Sequence, residues 1–173
     1  MWQKTIAGML VIIGTFGFGR ALCNDINCVL YHLKEQRRML TYIINEISFM
    51  HKPMQEIFEI INEKLNEPYK TFIKNILKEM DNRNGIKLED IWKKEVKNIK
   101  NTNAYPQKVV SNLLAFKSCF GEQKDKMQIE AFRMFEAELC EEINRLSKEK
   151  AEKCKLIQTL SILTGVFCVI LFI

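Results

Sequence analysis

The stretch "HKPMQEIFEIINEKLNEPYKTFIKNILKEMDNRNG", His51 to Gly85, decides the fold class. Each of its two prolines, Pro53 and Pro68, precedes apolar residues that recur every three or four positions, which is the period of one helix face. Proline cannot continue a helix but fits its first turn, so each proline predicts the start of a new amphipathic helix. Asp81 to Gly85 has the composition of a turn. The stretch therefore predicts two short helices and no strand.

The same helical period extends to both sides of this stretch. Upstream, the apolar spacing from Ile26 to Met50 predicts one long helix that Asn24 or Asp25 can cap. Downstream, the spacing from Ile91 to Ile99 predicts a shorter fourth helix, and the break that follows runs to Pro106.

A fifth and a last helix complete the pattern. The apolar residues from Val109 to Phe120 predict the fifth helix, and Gly121 can end it. From about Asp125 the last helix meets no Pro or Gly until Gly165. Its predicted core positions are Met127, Phe132, Phe135, Leu139, Ile143 and Leu146. The sequence therefore predicts an all-α bundle of about six helices.

Both ends of the chain are apolar. Residues 156–173 carry no charged side chain, and a run of about 18 such residues can cross the hydrocarbon core of a bilayer. Residues 5–19 form a similar run closed by Arg20, which can snorkel at a membrane face and let the span continue to about Cys23. Because the other end of the chain is also predicted to lie in the membrane, we favour an uncleaved anchor over a secretory signal peptide. We predict an N-terminal transmembrane anchor at 1–23, a helical bundle domain at 24–155 and a C-terminal transmembrane helix at 156–173. A C-terminal helix buried in a soluble core is the alternative.

Small residues at helical spacing lie in both predicted spans. Gly17 and Ala21 are four positions apart in the first span, and Ser161 and Gly165 are four apart in the second. Such pairs let helices approach closely in a membrane, so we predict membrane packing at these positions.

Charge and cysteine usage predict where the central domain lies. Lys34, Arg37 and Arg38 follow the first span and Lys148 to Lys155 precede the second, so the positive-inside rule predicts a cytoplasmic domain. The formal net charge of +5 is spread without an arginine-rich block, which argues against a nucleic-acid partner. The scattered cysteines favour free thiols in a reducing compartment, with a disulfide as the alternative.

Residue patterns typical of catalysis are absent from the sequence. The only histidines, His32 and His51, belong to no metal-binding motif, and no glycine-rich phosphate loop occurs. Adjacent carboxylates such as Glu141 and Glu142 point about 100° apart on a helix, as expected for a solvated face. We predict a protein that is not an enzyme and has no catalytic, cofactor or metal site.

The segment "FMHKPM", Phe49 to Met54, resembles the stage III sporulation protein AB family, with its aromatic-x-His-x-Pro-apolar pattern after a long helix. The resemblance continues through "IWKKEV", "FKSCFGEQKDKMQ" and the closing "LSILTGVFCVIL", and so covers the whole chain. Its motif residues are His51, Pro53, Pro68, Trp92, Gly121 and Gln128.

The resemblance implies a function in endospore formation. Members are expected in the mother-cell membrane facing the forespore, within the channel complex that links the two cells. They are similar to the type II secretion F-domain platform proteins. The partners implied are a secretion-type ATPase and the other membrane proteins of the complex. Membrane lipid surrounds the spans, and a homo-oligomer is compatible with this role.

We place the candidate ATPase contact on two predicted turns, 51–54 and 81–85, with Lys52, Arg83 and Lys87 as contact residues. The alternative is that these turns only connect helices. The alternative function is a two-span membrane receptor with an extracytoplasmic helical ligand-binding domain.

Overall fold

The computed structural model describes residues 2–50, 52–82, 85–101, 105–120 and 125–172. These residues form, in chain order, α1 Trp2–Met50, α2 Met54–Lys64, α3 Tyr69–Asp81, α4 Leu88–Asn101, α5 Gln107–Phe116, a 3-10 helix Lys117–Phe120 and α6 Asp125–Phe172. No strand occurs among them, which confirms the predicted all-α class with six α-helices.

Proline stands directly before three of the helices, as predicted for Pro53 and Pro68. The carbonyl oxygens of Pro53, Pro68 and Pro106 accept backbone hydrogen bonds from Ile57, Phe72 and Val110, each at 3.2 Å. Proline is well suited to this position because its missing N–H would have had no partner inside the helix. The three prolines therefore determine where α2, α3 and α5 begin.

The first helix is longer than the sequence suggests. α1 runs without interruption for 49 residues, so the predicted cap at Asn24 or Asp25 is wrong. Both residues are exposed inside the helix. Asn and Asp favour helix starts, yet in a helix interior they cost only up to about 0.7 kcal/mol each relative to alanine. A capping residue without a break before it does not begin a new helix.

The last two helices follow the prediction with one change. α5 ends at Phe116, and the chain continues as a 3-10 turn in which Cys119 and Phe120 are buried. The predicted stop at Gly121 lies outside the described residues. α6 is a single helix of 48 residues, as predicted.

The chain divides into two compact units, one formed by Met1–Leu30 with Asn144–Ile173 and the other by Tyr31–Ile143. In the first unit, large apolar side chains of α6 are more than half exposed, namely Leu156, Leu160, Ile162, Leu163, Phe167 and Ile170. Over the described part of the chain, no helix contains a stretch long and apolar enough to cross a membrane. The two predicted spans are therefore not shown by the structure.

An aromatic cluster fills the core of the second unit. Trp92 is fully buried, and its ring lies 4.9 Å from those of Phe72 and Phe120 and 5.0 Å from that of Phe116, measured between centroids. The indole Nε1 of Trp92 donates a 2.7 Å hydrogen bond to the carbonyl oxygen of Leu113. Trp92 thus ties α4 to α5 and the 3-10 helix, which gives this family-motif residue a structural role.

Among the cysteines that the structure describes, Cys154 departs from the prediction. Cys28 and Cys119 carry free thiols, and burial raises the pKa of the Cys119 thiol. Cys154 is disulfide-bonded, so the prediction of free thiols is wrong there. A disulfide needs two cysteines that come close in the folded chain and an oxidant, and sequence spacing reveals neither.

Candidate docking surface

The helix ends beside the two turns predicted to contact a partner are joined in the second unit, while residues 51, 83 and 84 of those turns lie outside the described part of the chain. Gln55, in the first turn of α2, donates from Nε2 a 2.7 Å hydrogen bond to Oδ1 of Asp81 at the end of α3. On the other side of the second turn, the carbonyl oxygen of Lys87 accepts hydrogen bonds from the backbone N–H groups of Asp90 and Ile91 at 2.9 and 3.2 Å. The structure therefore joins two segments that lie some 30 residues apart in the sequence.

Two adjoining cavities open along these turns, and Leu88 lines both. The larger has a volume of about 400 Å³ and is lined by Ile47, Lys52, Pro53, Met54, Leu88, Phe120 and Gln128. The smaller has a volume of about 220 Å³ and is lined by Gln55, Glu79, Met80, Gly85, Ile86, Leu88 and Ile91. We call the surface formed by Lys52, Pro53, Met54, Ile86, Lys87 and Leu88 the docking surface.

The docking surface combines apolar side chains with lysines. Ile86 is half exposed, with 50% of its surface accessible, and Met54 and Leu88 are partly exposed. Lys52 is partly buried at the larger cavity, and Lys87 is exposed. A depression that combines exposed apolar side chains with charged side chains is compatible with a protein interaction site.

Gln128 lies at the larger cavity and links α6 to the 3-10 helix. Its Nε2 donates a 3.2 Å hydrogen bond to the carbonyl oxygen of Cys119, which holds the first turn of α6 against the 3-10 helix. Together with Pro53, Gln128 also lines the larger cavity. Two of the predicted family-motif residues thus meet at one place, although they are far apart in sequence.

The remaining predicted motif and contact residues are distributed differently. Pro68 begins α3 and Trp92 lies in the core, both away from the cavity linings. His51, Gly121 and Arg83 lie outside the described residues.

The predicted membrane-packing residues belong to the first unit. Gly17 is exposed, and a Cβ atom there would meet no atom within 4 Å, whereas Gly165 is buried. The side chains of Ala21 and Ser161 are outside the part that the structure describes. Packing at these four positions stays a prediction.

One predicted core residue is instead at the surface. Met127 was expected in the core stripe of the last helix, but it is 60% exposed, so that assignment is wrong. Met127 lies five residues before the buried Phe132, and five residues turn a helix by about 140°, so Met127 is on a different face of α6 from the core residues. Phe49, in the last turn of α1, is 81% exposed.

Sequence reasoning missed a buried polar cluster around His32. The Nδ1 atom of His32 lies 3.2 Å from the hydroxyl oxygen of Tyr69, and that hydroxyl donates to the His32 carbonyl oxygen at 3.2 Å. The ring of Tyr105 lies 5.0 Å from that of His32, between centroids. The spacing of His32, three residues after Val29 and seven before the buried Met39, was the available signal. Tyr69 and Tyr105 are brought to His32 only by the fold.

Burial sets the protonation of this cluster. It lowers the pKa of His32, against the opposing effect of the neighbouring Glu35, and it raises the pKa of Tyr105 to about 12. Burial also raises the pKa of Tyr69 far above its usual range. The cluster is therefore uncharged at His32 and both tyrosines near neutral pH, as suits packing rather than acid–base catalysis. Among the described residues, no three His, Cys, Asp or Glu side chains are grouped so that they could hold a metal.

Comparison with known proteins gives one match. The family model described as stage III sporulation protein AB matches residues 4–173 of the chain. No curated protein and no solved structure matches the chain significantly. The matched range includes the docking surface, the aromatic core and both compact units.

Proposed function

Because the chain belongs to the stage III sporulation protein AB family, we propose that it acts in sporulation as a membrane-anchored platform that docks a secretion-type ATPase. The platform itself is not an enzyme. It belongs to the complex linking mother cell and forespore, where its further partners are the other membrane proteins of that complex.

The observation that carries this proposal is the docking surface. Residues from two turns distant in sequence line adjoining cavities, with Lys52 at the larger cavity and the exposed Ile86 at the smaller. Lys87 is exposed and stands directly between Ile86 and Leu88 in the chain. Apolar residues supply binding energy when a partner covers them, and charges at the rim guide the approach of a partner of opposite sign. An ATPase surface with an acidic rim around an apolar centre would fit.

The sequence also favours a platform that relies on a separate protein for energy. It contains no phosphate-binding loop of the type that cradles ATP, so the energy for transport would come from a separate protein. Two partners held at one membrane meet at a raised effective concentration and need little intrinsic affinity. A docking surface of modest size is sufficient for such an interaction.

Membrane anchoring rests on the apolar ends of the chain. Residues 156–173 lack charged side chains, and α6 exposes six large apolar side chains there. Exposed apolar surface on this scale is unfavourable in water and would be covered by lipid hydrocarbon. We place the protein in the mother-cell membrane with two spans and the central domain in the cytoplasm, as the basic flanks predict.

One observation favours the receptor alternative. Cys154 is disulfide-bonded, and disulfides persist mainly in oxidising compartments outside the cytoplasm. An extracytoplasmic central domain would suit a two-span receptor with a helical ligand-binding domain.

Binding between purified proteins tests the platform. The full chain, solubilised in detergent and immobilised, should retain the secretion-type ATPase from the same organism. Replacing Lys52, Arg83 and Lys87 together by glutamate should weaken binding about tenfold or more, because like charges would then face each other. The matched control replaces the exposed α4 lysines Lys93, Lys97 and Lys100 by glutamate, which changes the net charge equally.

Two results would overturn the proposal. One is ATPase binding that survives the triple substitution at the docking surface, or that falls equally in the α4 control. The other is ATP hydrolysis by the full chain alone that persists through further purification.

A further inference from the structure

Two stripes of exposed or, at Tyr42, partly exposed side chains run along neighbouring helices of the second unit. Along α1 the stripe consists of Tyr31, Lys34, Arg38, Tyr42 and Phe49, which we call the α1 stripe. Along α6 it consists of Met127, Glu130, Met134, Glu138 and Glu141, which we call the α6 stripe. Steps of three, four and seven residues place the members of each stripe on one helix face.

Both stripes carry apolar residues at the surface. Phe49 is 81% exposed, Met127 60% and Met134 66%. Apolar side chains this exposed, repeated on one helix face, indicate a surface that another helix covers. Within the part of the chain that the structure describes, no element covers them.

The charges of the two stripes are opposite. The α1 stripe has two cations, Lys34 and Arg38, and no acidic residue, whereas the α6 stripe has three glutamates and no basic residue. The guanidinium of Arg38 lies 3.6 Å from Glu35 and donates a 3.1 Å hydrogen bond to the carbonyl oxygen of Lys64, yet 41% of the Arg38 side chain remains exposed. The Tyr42 ring lies 5.7 Å from Arg38 and 5.2 Å from the Lys64 ammonium, measured to the ring centre. Charge complementarity thus makes the α6 stripe a partner for the α1 stripe, but of a different copy, because both face outward.

The register of the two helices agrees with such a pairing. Within one copy, Thr41 Oγ1 donates a 2.7 Å hydrogen bond to Glu136, and Ile47 shares a cavity with Gln128, so α1 and α6 are antiparallel here. The same antiparallel register between two copies brings four pairs face to face. They are Lys34 with Glu141, Arg38 with Glu138, Tyr42 with Met134, and Phe49 with Met127.

We propose that the chain associates with a second copy of itself by packing the α1 stripe of one copy against the α6 stripe of the other. The aromatic and methionine side chains supply the buried apolar contact, and the ion pairs fix the register. Two copies anchored in one membrane, as proposed above, have the same orientation, which makes this antiparallel pairing available at equal height. The pairing itself does not depend on the ATPase.

Sedimentation of the full chain in detergent tests the pairing over a series of protein concentrations. The wild type should associate reversibly, and Lys34→Glu, Glu141→Lys and Met134→Ser should each weaken association about tenfold. Lys97→Glu, an exposed charge change on α4, is the matched control and should leave association unchanged. All altered positions are exposed, so the helical content and thermal midpoint should stay as in the wild type.

Mixing the two charge variants gives the sharpest test. A copy with Lys34→Glu and a differently tagged copy with Glu141→Lys should associate with each other more tightly than either does with itself, since opposite charges then face each other again. A wild type that stays monomeric throughout would overturn the proposal. So would charge variants that associate as tightly as the wild type, or a mixture that shows no preference for the mixed pair.

Discussion

His32 is buried on α1 between the rings of Tyr31, Tyr69 and Tyr105, with Glu35 one turn further along the helix. Burial lowers its pKa in the folded protein, while the unfolded chain keeps the ordinary value of about 6.5. Below that pH the unfolded chain binds a proton that the folded chain resists, so the free energy of unfolding falls as the pH falls. Near pH 7 and above, both states are neutral and the effect vanishes.

We therefore predict that His32→Gln makes stability less dependent on pH. Between pH 7 and pH 5, the thermal midpoint of the full chain in detergent should fall more in the wild type than in the variant, as measured by circular dichroism. His51 is present in both proteins, so its titration cancels in the comparison. Equal slopes for the two proteins would show that His32 titrates normally in the fold.

Individual residues differ in how far the sequence determines them. Trp92 lies in an apolar helical stripe that is buried along its length, so its core position could be predicted. Met127 lies five residues before Phe132 rather than three or four, which turns it onto a different face of α6, where it is exposed. Helical spacing applied strictly therefore assigns Met127 to the surface, and an apolar side chain alone does not make a core residue.

At the scale of the helices, proline was the reliable signal. It removes a backbone donor and fixes φ, so its effect is local and independent of the rest of the fold. Asn24 and Asp25 are weaker signals, since their preference for a helix start amounts to less than about 1 kcal/mol and the helix before them simply continues. Strong local constraints were therefore read correctly and weak preferences were not.

The docking surface shows the same limit. The sequence identified both turns and their lysines, because turn composition is local. It could not show that Leu88 lines both cavities beside the turns, because that depends on how α2, α3 and α4 pack. Nor could it identify the exposed stripes of α1 and α6, because exposure is a property of the packed bundle.

Gly85, in the turn before α4, adopts a backbone conformation that favours glycine. Gly85 has a φ of 63°, in the left-handed region, and a Cβ added there would meet nothing within 4 Å. Only backbone strain should therefore oppose substitution. Gly85→Val should lower the free energy of unfolding by about 1 kcal/mol or more, whereas Gly85→Asn should lower it much less, because asparagine tolerates this conformation.

Urea denaturation of the two variants measures this difference through their midpoints. A valine variant as stable as the asparagine variant would contradict the left-handed conformation at Gly85. If both variants were strongly destabilised, steric crowding rather than backbone strain would be the cause.

At the scale of the whole molecule, two features point to opposite sides of the membrane. The basic residues Lys34, Arg37 and Arg38, with Lys148 to Lys155, favour a cytoplasmic central domain. The disulfide at Cys154 favours an oxidising compartment. The positive-inside rule describes insertion into the membrane and acts on many residues together, so we give it the greater weight.

We therefore predict that the central domain lies on the cytoplasmic side of the membrane, and cysteine labelling tests this. Ser111 is exposed on α5, and a Ser111→Cys variant whose native cysteines are serine presents one accessible thiol on the central domain. Both variants are produced in non-sporulating cells, whose membrane faces the medium. In intact protoplasts of these cells an impermeant maleimide should leave this thiol unlabelled and should label it fully after permeabilisation. A second variant carries its single cysteine on a short tail added after Ile173, and two spans with a cytoplasmic domain require that thiol to be labelled in intact protoplasts. In the reverse pattern, Ser111→Cys is labelled from outside and the added cysteine is protected. That result would place the docking surface where no cytoplasmic ATPase can reach it, and it would favour the receptor.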